Sequence, residues 1–227
     1  MFLSNTSKLQ NDPYCKLYLP FQNSVAEEKS VGKSETHTVT NNGNVAITTV
    51  DGRKCASFNG TDQYLTIPDS DDWNLGNNLF TLHCSIYVIS MPEIASHIIS
   101  KYDYINDKRS WEVGIDQAIN KFVFVYSTTG ELPANAINSD VTVALNVWTD
   151  IVVIRNRSND LIMYVNGTQS GTMNMGSDSI YDSDTTLYIG TDVGTQTNNF
   201  NGYIAEPSIH KGVARYTRNF TPQTRGI

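Results

Sequence analysis

Residues 101–114, KYDYINDKRSWEVG, concentrate aromatic, amide, carboxylate and guanidinium side chains in one short stretch. An aromatic ring can stack on the apolar face of a sugar, while the polar groups beside it hydrogen-bond the sugar hydroxyls. The residues that would form such a platform are Tyr102, Tyr104, Asn106, Asp107, Arg109 and Trp111. The same rings could instead face the core or a neighbouring subunit, and the sequence leaves both alternatives open.

Side chains that could perform catalysis are present but are not spaced for it. Retaining glycoside hydrolysis needs two carboxylates about 5–5.5 Å apart, and no E-x-D-x-x-E run supplies them. The histidines at positions 37, 83, 97 and 210 are scattered, and no HExxH or GxSxG motif occurs. The sequence therefore predicts a protein that is not an enzyme, with a diverged glycoside hydrolase as the weakest alternative.

Charge and apolar patterning argue against several kinds of partner. The formal net charge is −7 and no basic stripe is present, so the sequence predicts no nucleic-acid partner. No run approaches the roughly 18 apolar residues of a membrane span. The first residues, MFLSNTSKLQND, lack the basic region of a signal peptide, which predicts synthesis in a host cytoplasm.

The three cysteines are an odd, sparse set with no metal-ligand spacing. Cys15, Cys55 and Cys84 each lie in an apolar run, where a free cysteine behaves as a small buried hydrophobe. A Cys15–Cys55 pair remains an open alternative.

Short runs with period-two alternation follow one another along the chain, separated by turn pairs such as Asn166-Gly167. In KFVFVYS, for example, Phe122, Phe124 and Tyr126 share one face of a strand. This pattern predicts an all-β antiparallel sandwich with little or no helix. We expect Trp148 to fill its interior. No linker appears, so residues 1–227 are predicted to form one domain, with a polar arm at 1–13 and a tail at 213–227 packed on the sandwich.

Five motifs in order resemble those of laminin-G/concanavalin-A-like lectin domains. They include FNGTDQYLTIP, FTLHCSIYV, the hairpin VWTDIVVIRNRSNDLIMYVNG and the closing FNGYIAEPSIHKGVARYTRNFTP. The resemblance covers roughly residues 12–223 and implies a concanavalin-A-like jelly roll. The closing motif, together with DPYCKLYLPF, is most similar to versions found in structural proteins of tailed bacteriophages.

The resemblance also implies a possible structural calcium ion. Asp62 matches one acidic position of the family, and Glu206 lies in the strand that supplies a second ligand. Ala205 stands where the family has an aspartate, and losing a central carboxylate weakens a site that needs about six to eight oxygens. Asp62 as an ordinary exposed turn residue is the alternative.

The resemblance leads us to expect a virion-associated structural protein with a lectin-like surface, either a capsid decoration or head-fibre subunit or a tail-appendage module. Its partners would be other virion proteins, with oligomers in the particle, and host-cell glycans. A stand-alone adhesin that recognises host surface glycans is the alternative.

Overall fold

The computed structural model describes residues 12–91, 95–192 and 199–222, which fold into two antiparallel β-sheets. Within these ranges the only helical element is a 3₁₀ turn at Asp71–Trp73. The prediction of an all-β antiparallel sandwich is confirmed.

The first sheet has eight strands. Across the sheet they are β13 (Thr168–Asn174), β12 (Asp160–Val165), β11 (Trp148–Arg155), β6 (Phe80–Ser90), β15 (Asn201–Lys211), β4 (Arg53–Asn59) and β3 (Ala46–Val50), with β1 (Cys15–Tyr18) also paired to β15.

The second sheet has seven strands. In spatial order they are β10 (Asn135–Thr142), β9 (Lys121–Tyr126), β8 (Lys108–Asp116), β7 (Ala95–Asp103), β14 (Leu187–Ile189), β5 (Tyr64–Ile67) and β2 (Thr40–Asn42). Both sheets combine consecutive strands with pairs that are distant in sequence, such as β6 with β15 and β14 with β5, so the fold depends on long-range pairing.

The core lies between the sheets and is built from alternate residues of each strand. The predicted row Phe122, Phe124 and Tyr126 of β9 faces inward and is buried. From the other sheet, Ile151 and Val153 of β11 enter the same cluster. Burying an aliphatic or aromatic side chain of this size contributes about 1.5–3 kcal/mol. The side chains between the two sheets therefore supply much of the favourable free energy that opposes the loss of chain entropy on folding.

The prediction that Trp148 fills the interior is wrong. Because Ile151 and Val153 point inward, the alternation turns Trp148 to the outer face of the first sheet. There its ring lies partly exposed, 5.7 Å from the Tyr87 ring, with the Arg53 guanidinium 4.6 Å above it.

The two ends of the described chain meet on the first sheet. Phe220 packs against Tyr164 and stacks on Tyr216, covering an apolar patch on the outer face of β11 and β12. The Asp12 carboxylate contacts the Arg215 guanidinium and lies 3.2 Å from His210. Residues 1–11 of the predicted arm and 223–227 of the predicted tail lie outside the described ranges, and the single-domain boundaries stay a prediction.

All three cysteines are buried and free, so the structure does not pair Cys15 with Cys55. Burial raises the pKa of the Cys15 thiol to about 12 and that of Cys55 to about 11, which keeps both protonated and unreactive. In the part of the chain that is described, no helix has the length and apolarity needed to span a bilayer.

Candidate binding face of the second sheet

The structure corrects the prediction that Trp111 offers a surface for stacking. Trp111 lies on β8 with Val113 and Ile115, all three pointing into the core, and its side chain is 0% exposed. Its indole N–H donates to the Trp73 carbonyl at 3.0 Å. The ring therefore cannot reach a ligand at the surface.

Arg109 is also buried and acts as a structural anchor for the loop between β7 and β8. Its guanidinium donates to the Tyr104 carbonyl at 2.7 Å, to the Gly130 carbonyl at 3.3 Å and to the Asp107 carboxylate. These bonds hold the short loop in one conformation. The predicted residue Arg109 is therefore in place to shape the loop rather than to contact a ligand.

The remaining predicted residues divide between this loop and the sheet. Tyr104, at 37% exposure, lies on the loop surface together with the exposed Asn106 and Asp107. Tyr102 pairs with Arg109 across β7 and β8 and is 9% exposed. The predicted platform is therefore not a single surface.

The outer face of the second sheet carries an aromatic pair that the sequence reading missed. Tyr64 on β5 and Tyr188 on β14 are both partly exposed, with ring centroids 6.0 Å apart and ring planes 28° apart. Leu65 follows Tyr64 on β5, Leu187 precedes Tyr188 on β14, and both leucines are buried. Because successive side chains of a strand point to opposite faces, the two tyrosines point outward.

Polar side chains follow the same register row across four strands. Thr66 pairs with Tyr188, Tyr188 with Ser100, and Ser100 with Glu112, so all four share the outer face. On the neighbouring β2, the Asn42 side-chain amide donates to the Thr66 hydroxyl at 3.2 Å. The aromatic pair is therefore bordered by hydrogen-bonding groups.

An acid–base cluster lies beside this row. The His97 Nδ1 is 2.7 Å from a Glu112 carboxylate oxygen, and its Nε2 is 3.7 Å from Asp192. Burial disfavours the imidazolium ion, but the two carboxylates together outweigh burial, so the pKa of His97 is raised. Burial also raises the pKa of Asp192, against the influence of His97.

The carboxylates of this cluster also influence Tyr102 and Tyr188. Burial, followed by the Glu112 charge, raises the pKa of Tyr102 to about 12, although Arg109 opposes the shift. Burial, the neighbouring Tyr64 and the charges of Asp103 and Asp192 raise the pKa of Tyr188. The hydroxyls of Tyr102 and Tyr188 therefore stay protonated and can donate hydrogen bonds near neutral pH.

This arrangement suits binding better than bond cleavage. Flat, partly exposed rings can stack on the C–H face of a sugar, and the surrounding hydroxyl and amide groups can pair with its hydroxyls. Glu112 and Asp192 are almost fully buried, and both face the same imidazole. Neither carboxylate is presented as a surface acid or nucleophile.

The two predicted calcium ligands are not brought together. Asp62 lies in the turn after β4 and accepts a hydrogen bond from the Asn59 amide at 2.8 Å, whereas Glu206 accepts one from the Tyr18 hydroxyl at 3.1 Å. Asn59 pairs with Asn201, which lies five residues, or about 16 Å, along β15 from Glu206. Among the described residues, no group of three or more His, Cys, Asp or Glu is arranged to hold a metal ion.

Several solved structures share this architecture. The binding domain of Paraclostridial Mosquitocidal Protein 1 aligns with a TM-score of 0.69 and 14% identity, over 94% of this chain and 50% of that one. Domain 4 of AbnA, a GH43 extracellular arabinanase from Geobacillus stearothermophilus in complex with arabinotriose, aligns with a TM-score of 0.64 and 15% identity, over 87% and 92%.

A third similar structure is that of botulinum neurotoxin type C, whose cell entry depends on interaction with two ganglioside molecules, with a TM-score of 0.65 and 17% identity over 92% of this chain and 50% of that one. The chain spans about half the length of these toxin structures. Identities this low establish a shared fold only.

No curated protein matches the chain in sequence. The profile of the concanavalin A-like lectin/glucanases superfamily, of the laminin-G type, matches residues 59–215, well over half of the chain. The two-sheet architecture described above is consistent with that match. The chain therefore belongs to the concanavalin A-like lectin/glucanase superfamily.

Proposed function

We propose that the chain is a non-catalytic carbohydrate-binding domain that holds its ligand on the outer face of the second sheet. The observation that carries the proposal is the partly exposed, nearly parallel Tyr64–Tyr188 pair, bordered by Thr66 and Asn42. The partly exposed rings on neighbouring strands offer apolar surface for a sugar ring, with hydrogen-bonding groups beside them.

Two of the similar structures support this proposal. One is an arabinanase domain in complex with arabinotriose, and another belongs to a neurotoxin whose cell entry depends on gangliosides. The fold thus serves saccharide binding elsewhere, although function has to be argued from the site itself.

The charges near the aromatic pair favour neutral sugars. The negative charges of Asp103 and Asp192 raise the pKa of Tyr188, and the charge of Glu112 raises the pKa of Tyr102. A sialylated or sulfated sugar on this face would lie in the field of these buried carboxylates and be repelled at low ionic strength. We therefore expect neutral, hydroxyl-rich oligosaccharides as ligands.

A glycan array followed by calorimetry on the best neutral oligosaccharide tests the proposal. Tyr188→Ala and Tyr64→Ala should each weaken binding about tenfold, since an aromatic stacking contact contributes about 1 kcal/mol beyond the area it buries. Tyr203→Ala is the matched control, because Tyr203 is a partly exposed tyrosine on the outer face of the other sheet.

Two outcomes would count against the proposal. Binding that is unchanged in Tyr64→Ala and Tyr188→Ala would remove this face as the site. Release of new reducing ends from the bound oligosaccharide would show catalysis, and the domain would then be a hydrolase.

We also propose, as a second and narrower role, that the chain is part of a bacteriophage virion, as a capsid decoration or tail-appendage subunit. This role rests on the closing sequence motif, which forms β15 and the segment that packs on the first sheet. Mass spectrometry of purified virions and co-sedimentation with capsids or tails would test it. An adhesin acting outside a particle would bind glycans in the same array but would not co-sediment.

A further inference from the structure

A cleft of about 390 Å³ opens at the corner where the free edges of the two sheets approach each other. The strands that border it are β10 at the edge of the second sheet and β13 at the edge of the first. Its lining includes Phe122, Val141, Val147, Val165, Asp140 and Gln169. None of the residues assigned above to the saccharide-binding face lines it.

Two β-bulges create this opening. Between the pairs Asn138–Val123 and Thr142–Lys121, three residues of β10 stand opposite the single residue Phe122 of β9. A second register shift lies on β13, where Ser170 and Gly171 stand opposite one residue of β12. Bulges bend an edge strand away from its partner, and they are frequent beside binding sites.

The two bulges are joined through the Ser170 hydroxyl, which also accepts a hydrogen bond from the Val141 N–H at 3.4 Å. The Asp140 backbone N–H donates to the Ser170 hydroxyl at 2.9 Å. This contact closes one side of the corner. The gap beside it leads between the sheets toward Phe122 and Val165, which are both buried core residues.

The mouth of the cleft carries two exposed apolar side chains beside its polar groups. Val141 and Val147 are 47% and 46% exposed, although both are large aliphatic residues. The rest of the lining is mainly neutral hydroxyl and amide groups, and among the described lining residues only Asp140 is ionisable. An apolar interior with a neutral, hydrogen-bonding rim matches an uncharged ligand that has one apolar and one hydroxylated end.

We propose that this cleft binds a small uncharged amphiphile, with an alkyl or aryl body seated toward Phe122 and Val165 and hydroxyl groups at the rim. The volume is near the lower end of the roughly 300–1,000 Å³ found for ligand pockets, so the ligand is small. This site is separate from the saccharide-binding face, and its occupancy does not depend on that function.

Isothermal titration with octyl β-glucoside, kept below its micelle-forming concentration, tests the proposal. We expect saturable 1:1 binding at the cleft and no binding there of free glucose, which lacks the alkyl body. Ala144→Trp places a large ring on the exposed rim of the cleft and should weaken octyl glucoside binding at least about tenfold.

Leu145→Asp is the matched control for Val147→Asp. Both residues are exposed to the same extent in the same loop, but only Val147 lines the cleft. A carboxylate at position 147 should weaken binding of the alkyl body, and one at 145 should not. Val147→Asp also keeps the test informative if Ala144→Trp fails to fold.

The Tyr188→Ala variant separates this site from the proposed saccharide face. Octyl glucoside binding that persists in Tyr188→Ala and is lost in Ala144→Trp supports the cleft. Binding unaffected by Ala144→Trp and Val147→Asp, equal binding of free glucose, or no saturable binding would each overturn the proposal.

Discussion

At the scale of single residues, the imidazole of His97 is buried on the outer side of the second sheet, between Glu112 and Asp192. Since its pKa is raised in the folded protein, the imidazolium form stabilises the fold. This contribution is fully present below the unfolded pKa of about 6.5 and is lost as the pH rises through the folded value.

An NMR titration of the His97 ring proton should therefore give a pKa above 6.5. Glu112→Gln keeps the side-chain size but removes the charge and weakens the hydrogen bond at 2.7 Å, so the pKa of His97 should fall. Glu131→Gln, which changes an exposed carboxylate in the loop after β9, should leave it unchanged. A pKa that stays the same in Glu112→Gln would show that Glu112 does not hold the imidazolium.

At the scale of elements, two hairpins of the first sheet use the same turn for different purposes. Asn166-Gly167 joins β12 to β13 with φ of 51° and 75°, and Asp51-Gly52 joins β3 to β4 with φ of 50° and 76°. Positive φ at both central residues is the type I′ requirement, as the sequence predicts for Asn166-Gly167. Only Gly167 also lies against the C-terminal segment, where it accepts a hydrogen bond from Phe220 N–H.

Alanine at the two glycines should separate turn strain from packing of this segment. A Cβ at Gly52 meets nothing within 4 Å, so Gly52→Ala should lower the free energy of unfolding by about 1 kcal/mol. A Cβ at Gly167 would lie 1.9 Å from the Phe220 carbonyl oxygen, so Gly167→Ala should cost clearly more and should expose Tyr164. Urea titration with tyrosine fluorescence measures both effects, and equal losses would contradict a role in seating the segment.

The strands could be predicted from alternation, but the inward face of each strand could not always be chosen. On β11, Ile151 and Val153 fill the core while Val152 and Ile154 are buried beneath the C-terminal segment, so both faces are apolar. With apolar residues on both faces, local pattern does not decide which way Trp148 points. The orientation of Trp111 stays open in the sequence for a related reason, since the polar residues beside it belong to the outer face and the loop.

At the scale of the whole molecule, the candidate site depends on pairings that join distant parts of the chain. Tyr64 and Tyr188 meet because β5 and β14 are adjacent in the second sheet, although more than a hundred residues separate them. Each tyrosine alone is an ordinary outward residue in an alternating strand. A single sequence can therefore predict the sandwich, while the aromatic pair emerges only once the strand order is known.

The last prediction concerns the junction of the chain ends. His210 is buried near Asp12, whose carboxylate Arg215 already engages, and burial lowers the pKa of His210 to about 4. In the unfolded chain it titrates near 6.5, so the unfolded state binds more protons between these values and stability falls as the pH drops from about 6.5 toward 4. The full shift corresponds to a loss on the order of 3 kcal/mol. Because the His97 contribution changes in the opposite sense over this range, urea unfolding at pH 7 and pH 5 isolates the His210 effect by difference, and stability should fall more in the wild-type protein than in His210→Gln. His37→Gln, which changes a histidine that contacts Asp72 instead, is the control, because an equal reduction there would assign the acid sensitivity elsewhere.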